Sequence, residues 1–270
     1  DTPSHKREMI RKNLPNILIT NPDMIHLGIL PFYKNWESFF KNLKYIVIDE
    51  VHTYKGVFGS HISQILRRLF RVLELYGSKP QIIGCSATIN NPSEFAKNLT
   101  GKDFSIVSKS GAPRGTRHFI FVNSPALSTS LIAAHIFRMS VKAGMKTIAF
   151  TKARKTTELL HQWVIQADKK LENRISSYRA GFLSEERREI ENRLFDGELD
   201  GVISTSALEM GIDIGALDVC VLVGYPGTVI NTWQRGGRVG RSTRDSVVFL
   251  VAQQDALDQY FMRNPKDFFD

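Results

Sequence analysis

The sequence predicts an α/β protein of two lobes, each a mostly parallel sheet flanked by helices. Short apolar runs alternate with longer stretches in which apolar residues recur at helical spacing, the pattern of strands connected by helices. The run at residues 45–48 is continuously apolar, as is typical of a strand buried on both faces of a parallel sheet. With 270 residues and 42% hydrophobic content, the chain is long enough for two cores.

The first lobe is expected over residues 1–108. A basic helical tendency at residues 1–13 comes first, and Gly56 and Gly59 are expected in a loop. Asn21 suits a helix N-cap followed by Pro22 at the first helical position, and Gly101 suits a C-cap. The pattern predicts strands at 16–20, 45–48 and 81–85 and helical segments at 22–30, 36–43, 61–75 and 92–99.

A linker is expected at residues 109–117, within a stretch rich in Gly, Pro and Ser, and a second lobe at residues 118–270. Ser184 is expected to cap one of its helices. The pattern predicts strands at 118–122, 146–150, 175–178, 201–204, 219–223 and 247–251, and helices at 127–143, 154–171, 184–195 and from about 229.

The composition favours a polyanionic partner. Lys and Arg number 36 against 27 Asp and Glu, which gives a formal net charge of +9 and a pI of about 9.6. The basic residues are spread along the chain, so ordinary solvated faces remain an alternative. Cys85 and Cys220 lie in predicted strands and are expected as buried free thiols. No run reaches transmembrane length, so we expect no membrane partner and a cytoplasmic, nucleoid-associated protein.

The carboxylates of Asp49 and Glu50 follow the 45–48 strand directly. Open α/β sheets bind their ligands at the carboxyl ends of the strands. In nucleotide hydrolysis one carboxylate holds Mg²⁺, usually through water, and a second orients or deprotonates the attacking water. A solvated acidic pair at a strand end is the alternative explanation.

Polar residues also follow other predicted strands. The amides freed after Asn21 could bind phosphate oxygens, or the segment could simply be a capped strand-to-helix turn. Ser86 and Thr88 follow the 81–85 strand, and their hydroxyls could relay a nucleotide-dependent shift or be ordinary turn residues.

The second lobe carries the most specific pattern, STSALEMGIDI at residues 204–214 and QRGGRVGR at 234–241. Arg238 and Arg241 are three residues apart, so both guanidiniums can lie on one helical face and bind phosphate oxygens in a bidentate manner. A basic, glycine-rich loop on nucleic acid is the alternative. Because few apolar contacts are expected among these glycines, we expect substitutions of either arginine to affect turnover more than stability.

The ordered set TNPD, DEVH, SAT, a strand ending at Thr151, YRAG, STSALEMGIDI and QRGGRVGR resembles the two-lobed RecA-like core of the superfamily-two helicases. Within that superfamily, VIDEVHTYKGVFGSH and the closing DALDQYFMRNPKDFF resemble the bacterial MrfA/YprA-type DNA helicases, which are linked to DNA repair, and their fungal relatives. The resemblance implies ATP and Mg²⁺ as cofactors, DNA as the partner and a core that is monomeric.

The resemblance also implies a role for each motif. Asp49 would hold Mg²⁺ and Glu50 would activate water. His52, Ser86 and Thr88 would couple hydrolysis to movement. The nucleotide would be contacted by Gly211, Asp213, Gln234, Arg238 and Arg241, the arginines as fingers. One nucleic-acid strand would be tracked by its backbone through Thr20, Asn21, Asp23, Thr151, Arg179, Ser204 and Thr205.

The departures from the family are at the ends. No GxxxxGK[ST] loop occurs in the 270 residues, and the family places that loop before the first motif present here. We therefore expect a fragment of a 3′→5′ DNA helicase acting on single-stranded or partly duplex DNA. A non-catalytic nucleic-acid-binding protein and an RNA helicase remain alternatives. DEVH and QRGGRVGR differ from the DEAD and HRxGRxGR of most RNA helicases, which weakens the latter.

Overall fold

The computed structural model divides the chain into two compact units, Asp1–Lys109 and Ser110–Asp270. It describes residues 2–87, 89–109, 111–113, 115–209, 215–240 and 243–269. Four residues singled out from the sequence lie outside these ranges: Thr88, Gly211, Asp213 and Arg241.

The first unit has a two-stranded parallel sheet and a helical layer. Its strands are β1 (Tyr45–Ile48) and β2 (Gln81–Gly84), with Tyr45 opposite Gln81. Its helices are α1 (Ser4–Lys12), α2 (Pro22–Met24), α3 (Glu37–Lys41), α4 (Gly56–Leu75) and α5 (Pro92–Thr100). A π-helical turn at Ile25–Ile29 and 3-10 turns at Leu30–Trp36 and Val51–Thr53 complete it. The buried face of α4, which includes Ile62, Leu66 and Leu69, packs with Ile48 in one core.

The expectation that β1 is buried on both faces is wrong. Ile48 is buried, but Tyr45 and Val47 are 59% and 61% exposed. Alternate residues of a strand point to opposite faces, and only the face that carries Ile48 packs into the helical core of this unit. Cys85, predicted as a buried thiol, is likewise exposed, because it lies just beyond the end of β2.

Residues 16–20 form neither strand nor helix, contrary to the sequence prediction. In the described part of this unit, the sheet pairs only β1 with β2, so this segment lacks a strand to complete its hydrogen bonds. Residues 56–59, expected as a loop, are instead the first turn of α4. Gly59 is required there, because a Cβ atom would lie 2.2 Å from the Tyr54 carbonyl oxygen.

The second unit is a six-stranded parallel sheet in the order β3-β8-β7-β4-β6-β5. Its strands are β3 (Arg117–Val122), β4 (Thr147–Phe150), β5 (Ile175–Tyr178), β6 (Gly201–Ser204), β7 (Val219–Val223) and β8 (Ser246–Val251). Its helices are α6 (Thr129–Lys142), α7 (Arg154–Ala167), α8 (Ser184–Phe195), α9 (Val229–Gly236) and α10 (Ala256–Arg263), with 3-10 turns at Lys169–Leu171, Ser206–Leu208 and Pro265–Phe268.

Helices cover both faces of this sheet. Ile148 and Phe150 of β4 pack in a core with residues of α8 and α10, whereas Ala149 packs on the opposite face with residues of α6 and α7. β4, β6 and β7 are buried along their whole lengths, as expected for central strands of a parallel sheet. The predicted α/β class with a mostly parallel sheet is confirmed.

Smaller differences concern helix ends and exposure. Ser184 is the first residue of α8 and not its cap, and the Leu183 N–H that precedes it donates to Glu186 Oε2 at 2.9 Å. Cys220 is buried and free, as predicted. Within the ranges described above, no helix is both long and apolar enough to span a bilayer.

Candidate functional site

The exit of β1 carries the acidic pair, and backbone hydrogen bonds hold it against the exit of β2. The Cys85 N–H donates to the Ile48 carbonyl and the Val51 N–H donates to the Cys85 carbonyl, both at 2.9 Å. Asp49 and Glu50 lie between these two bonds, on the stretch of chain that joins β1 to the Val51–Thr53 turn. Asp49 is exposed and Glu50 is partly exposed, so both carboxylates can reach a ligand.

Glu50 has a left-handed backbone, with φ 49° and ψ 42°. For a residue with a Cβ atom this conformation costs about 1–2 kcal/mol. Local hydrogen bonds hold it: the Glu50 N–H donates to Asp49 Oδ1 at 2.9 Å, and the Glu50 carbonyl accepts from the Thr53 N–H and hydroxyl, each at 2.8 Å. Strain of this kind is concentrated at functional sites, so it marks Glu50 as a candidate.

His52 connects the acidic pair to the loop after β2. Its ring is buried, and Nδ1 lies 3.4 Å from Glu50 Oε2. The same Nδ1 accepts from the Ala87 N–H at 3.2 Å, which puts the proton of the neutral ring on Nε2. Ser86 donates its hydroxyl to the Ala87 carbonyl at 2.8 Å. Two of the predicted coupling residues, His52 and Ser86, therefore converge on Ala87.

The carboxylates change the chemistry of their surroundings. Burial raises the pKa of Tyr54, and the negative charges of Asp49 and Glu50 raise it further. Within the described ranges, no group of three or more His, Cys, Asp or Glu side chains could hold a metal ion alone. Mg²⁺ needs no such cage, because it keeps several waters and takes one or two carboxylates together with substrate phosphates. Asp49 and Glu50 fit that requirement.

In the TNPD segment, Asn21 is the helix N-cap, as the sequence predicted. The Met24 N–H donates to Asn21 Oδ1 at 2.8 Å, with Pro22 at the first helical position. α2 is only three residues long and continues as the π-helical turn Ile25–Ile29. Thr20, Asn21 and Asp23 are all exposed.

Two of the predicted nucleic-acid residues in the second unit have buried side chains. Thr151 directly follows β4 and is 1% exposed. Ser204 is the last residue of the neighbouring strand β6 and is 0% exposed. The Thr151 hydroxyl shares a 2.7 Å hydrogen bond with the Thr157 hydroxyl. The side chains of Thr151 and Ser204 are both covered within the second unit, and the contact of these two residues with a nucleic-acid strand stays a prediction. Thr205 and Arg179 are partly exposed.

Arg179 is fixed by two neighbours at the exit of β5. Its Nε atom lies 3.1 Å from Glu158 Oε1. Its guanidinium also lies 4.9 Å from the centroid of the Phe182 ring, a distance at which the ring attracts the cation. Sequence reasoning missed Phe182, although its three-residue spacing from an arginine was a usable signal.

Arg238 is buried, which overturns the expectation that it lies on an open helical face with Arg241. α9 ends at Gly236, and Arg238 lies in the turn that follows. Its Nε and Nη2 atoms donate to the Glu209 carbonyl at 2.9 and 2.6 Å. These hydrogen bonds are structural contacts that the sequence did not predict for Arg238. Gln234, on α9, is partly exposed.

Sequence reasoning did not single out Arg235 or Glu209. Arg235 is buried, with Nε 3.0 Å from Glu209 Oε2 and its guanidinium 5.4 Å from the Phe150 ring centroid. The only sign of Arg235 in the sequence is its place in the QRGGR run, and its burial could not be predicted because its partners Glu209 and Phe150 are distant in the sequence. Glu209 thus binds Arg235 with its carboxylate and Arg238 with its carbonyl.

Asp258 was also missed. This buried carboxylate on α10 accepts from the Tyr225 N–H at 3.0 and 3.1 Å and from the Gln253 N–H at 2.7 Å. It therefore ties together the exits of β7 and β8. Burial raises the pKa of Asp258, whereas the amide hydrogen bonds oppose that change.

An acidic pair at a parallel strand exit, joined to small hydroxyl residues, and a second parallel unit with buried arginines define the class of RecA-like nucleotide-dependent motors. Sequence comparison identifies the family. Residues 1–95 match the DEAD/DEAH box helicases, and residues 128–243 match the helicase conserved C-terminal domain. The chain belongs to the superfamily-two helicases.

Individual relatives agree with this assignment. The chain is 45% identical over 279 residues to the "Uncharacterized ATP-dependent helicase YprA" of Bacillus subtilis, covering 100% of this chain and 37% of that protein. It is 38% identical over 282 residues to the ATP-dependent helicase hrq1 of Schizosaccharomyces pombe, covering 98% of this chain and 26% of that protein. The chain thus spans well under half the length of these relatives.

A solved structure agrees across the whole chain. The crystal structure of the DUF1998 helicase MrfA bound to DNA and AMPPNP matches with a TM-score of 0.95 and 45% identity, covering 100% of this chain and 39% of that one. This similarity confirms the RecA-like helicase fold and the predicted likeness to the MrfA/YprA type.

Proposed function

We propose that the chain works as part of the motor of an ATP-dependent DNA helicase that moves 3′→5′ on single-stranded or partly duplex DNA. We place it on the nucleoid in the cytoplasm, in DNA repair, as a monomeric core. Residues 1–108 would form the first motor lobe, 109–117 the linker and 118–270 the second lobe. The observation that carries the proposal is the strained Glu50, whose Oε2 atom lies 3.4 Å from the His52 nitrogen that accepts from the Ala87 N–H.

In this proposal Asp49 holds Mg²⁺ through water and Glu50 orients the attacking water. When bound, Mg–ATP would supply the phosphoryl group that is transferred to water, and Mg²⁺ would neutralise the charge that develops on its oxygens. The left-handed backbone of Glu50 supports a catalytic role, because backbone strain of this kind is concentrated at functional sites. The acidic pair takes the two roles that its residue types and spacing predict.

His52 and Ser86, with Thr88, would carry the coupling. A change at Glu50 Oε2 acts on His52 Nδ1 at 3.4 Å, and the same nitrogen holds the Ala87 N–H. The loop after β2 would then respond to the state of the nucleotide. Low dielectric around the buried ring strengthens such a connection.

On the second unit, the nucleotide would be contacted by Gly211, Asp213, Gln234, Arg238 and Arg241. Arg238 and Arg241 would stabilise the charge on the transferring phosphoryl group, a role in which an arginine suits phosphate oxygens because its donors form a fixed fork.

DNA would be held by its phosphates at Thr20, Asn21, Asp23, Thr151, Arg179, Ser204 and Thr205. The exposure of Thr20, Asn21 and Asp23 supports contact with a nucleic-acid strand, and the DNA-bound state of the MrfA structure supports DNA over RNA. Contacts to phosphates carry little sequence information, so the protein would act on many sequences.

The test uses a hybrid in which this chain replaces the matching region of the Bacillus subtilis relative. DNA-stimulated phosphate release by the hybrid should fall at least about 100-fold with Glu50→Gln, because a positioned general base contributes about 10²–10⁴-fold. Glu172→Gln, an exposed carboxylate outside the site, should leave the rate unchanged. A Glu50→Gln hybrid with a normal rate would refute the proposed role.

A further inference from the structure

Glu209 joins the two segments that carry the second unit's nucleotide motifs. It directly follows the 3-10 turn Ser206–Leu208 and precedes residues 210–214. Its side chain is only 10% exposed and faces Arg235, which is 9% exposed. A buried charge removed from water is tolerated when it is paired, so these two side chains hold each other in place.

Arg235 is anchored independently of Glu209. It lies on α9, and its guanidinium stacks over the ring of Phe150 on the central strand β4. Phe150 is completely buried in the core of the sheet. The ion pair between the Glu209 carboxylate and Arg235 therefore fixes Glu209 relative to the sheet.

The carbonyl of the same residue then receives Arg238. Both Nε and Nη2 of Arg238 point at this one oxygen, so the direction of the guanidinium depends on where that oxygen lies. A connected path runs from Phe150 to Arg235, to the Glu209 carboxylate, and through the Glu209 backbone to Arg238.

We propose that Glu209 is a positioning residue for phosphoryl transfer, because it orients Arg238 through the anchor that its carboxylate makes with Arg235. The inference rests on the proposed role of Arg238 at the phosphates. It assigns Arg235, the first arginine of QRGGR, to this anchor and not to the nucleotide. Displacement of about 1 Å in a catalytic group can cost about 100-fold in rate, so the anchor matters without touching substrate.

A purely structural ion pair would have different consequences. Removing one partner of a buried pair destabilises a protein, whereas replacing both by apolar side chains is often neutral. The double substitution Glu209→Ala with Arg235→Met removes both charges and leaves the Glu209 carbonyl and Arg238 intact. It therefore separates stability from positioning.

The first assay is DNA-stimulated ATP hydrolysis by the hybrid. We expect the double variant to melt close to the parent and to show kcat at least tenfold lower with KM unchanged. A double variant whose melting temperature and kcat both equal those of the parent hybrid would overturn the inference. Glu209→Gln, which keeps the side-chain volume and weakens the carboxylate's hold, takes the place of the double variant if that one unfolds. Glu198→Ala is the control, since it removes an exposed carboxylate from an arginine pair.

The second assay does not depend on activity. In the ¹⁵N-labelled 270-residue chain, the Nε–H signal of Arg238, assigned with Arg238→Lys, should exchange slowly with solvent because it is buried and bonded. We expect exchange at least tenfold faster in the double variant. Unchanged exchange would overturn the inference. A parent hybrid without ATPase activity would refute the proposed function, and the exchange rates would still show whether the pair of Glu209 and Arg235 holds the Arg238 guanidinium in place.

Discussion

At the residue scale, Arg238 is both a buried structural group and the proposed phosphate-binding finger. Its side chain is 5% exposed and satisfies the Glu209 carbonyl with two donors. A buried carbonyl left without a donor costs about 1–3 kcal/mol. Changes at this position should therefore affect folding and turnover together.

Arg238→Ala should lower the melting temperature of the chain and, in the hybrid, reduce DNA-stimulated ATPase by about 10³-fold or more, the range of an arginine finger. Calorimetry and phosphate release measure the two effects. Arg241→Ala should reduce the ATPase rate as strongly. A hybrid with Arg238→Ala and near-normal ATPase would reassign Arg238 to structure alone.

The sequence predicted correctly that Asp49 and Glu50 follow a strand, because an apolar run that ends in two carboxylates is typical of a buried segment that reaches the edge of a sheet. It could not predict the burial of Arg238. Glycines on both sides suggest an exposed loop, and the partner that buries it, Glu209, is distant in sequence. The left-handed backbone of Glu50 is equally invisible in a sequence, because residues other than glycine rarely adopt it.

At the element scale, α10 anchors the exits of two strands of the second sheet. Asp255 caps the helix, accepting from the Asp258 N–H at 3.0 Å, and the Asp258 carboxylate takes the Tyr225 and Gln253 amides. The helix therefore fixes the loops after β7 and β8. No helix was predicted here from the sequence, and the three-way contact depends on the folded sheet.

Asp258→Ala should lower the free energy of unfolding by about 1–3 kcal/mol for each amide left without an acceptor. Denaturant titration measures this loss. Asp255→Asn is the matched control, because asparagine caps a helix about as well as aspartate. A stability equal to that of the parent chain would mean that water satisfies both amides.

The pH dependence gives a second readout at Asp258. Burial raises the pKa of Asp258, so the part of its contribution to stability that depends on the bound proton is full below the ordinary carboxyl pKa and is lost as pH rises through the raised value. The difference between the parent and Asp258→Ala stability curves should therefore change across that acidic range.

Strand and helix order was predictable from periodicity, whereas exposure of β1 was not, because it depends on which layers cover the sheet.

At the scale of the whole molecule, the 270 residues contain no phosphate-binding loop. The backbone amides and lysine of such a loop hold the β- and γ-phosphates. The chain alone should therefore hydrolyse ATP very weakly or not at all, even with saturating single-stranded DNA. Robust phosphate release abolished by Glu50→Gln would contradict this expectation.

The chain should still bind single-stranded DNA weakly and with little sequence preference, because the proposed contacts are to phosphates. Each phosphate contact contributes about −0.7 to the slope of log K against log salt for single strands. Fluorescence anisotropy across a salt series measures that slope. An affinity independent of salt would rule out contact through the backbone.

The central claim is that Glu50 orients the attacking water and that His52 couples hydrolysis to movement, and the ratio of ATP hydrolysed to base pairs unwound tests it most directly. In the hybrid, His52→Ala removes the acceptor of the Ala87 N–H, whereas His52→Asn offers an oxygen in its place. The account predicts that His52→Ala keeps DNA-stimulated ATPase within about tenfold of the parent, loses unwinding, and is partly rescued by His52→Asn. Unwinding that falls only in proportion to ATPase, with no rescue, would contradict it.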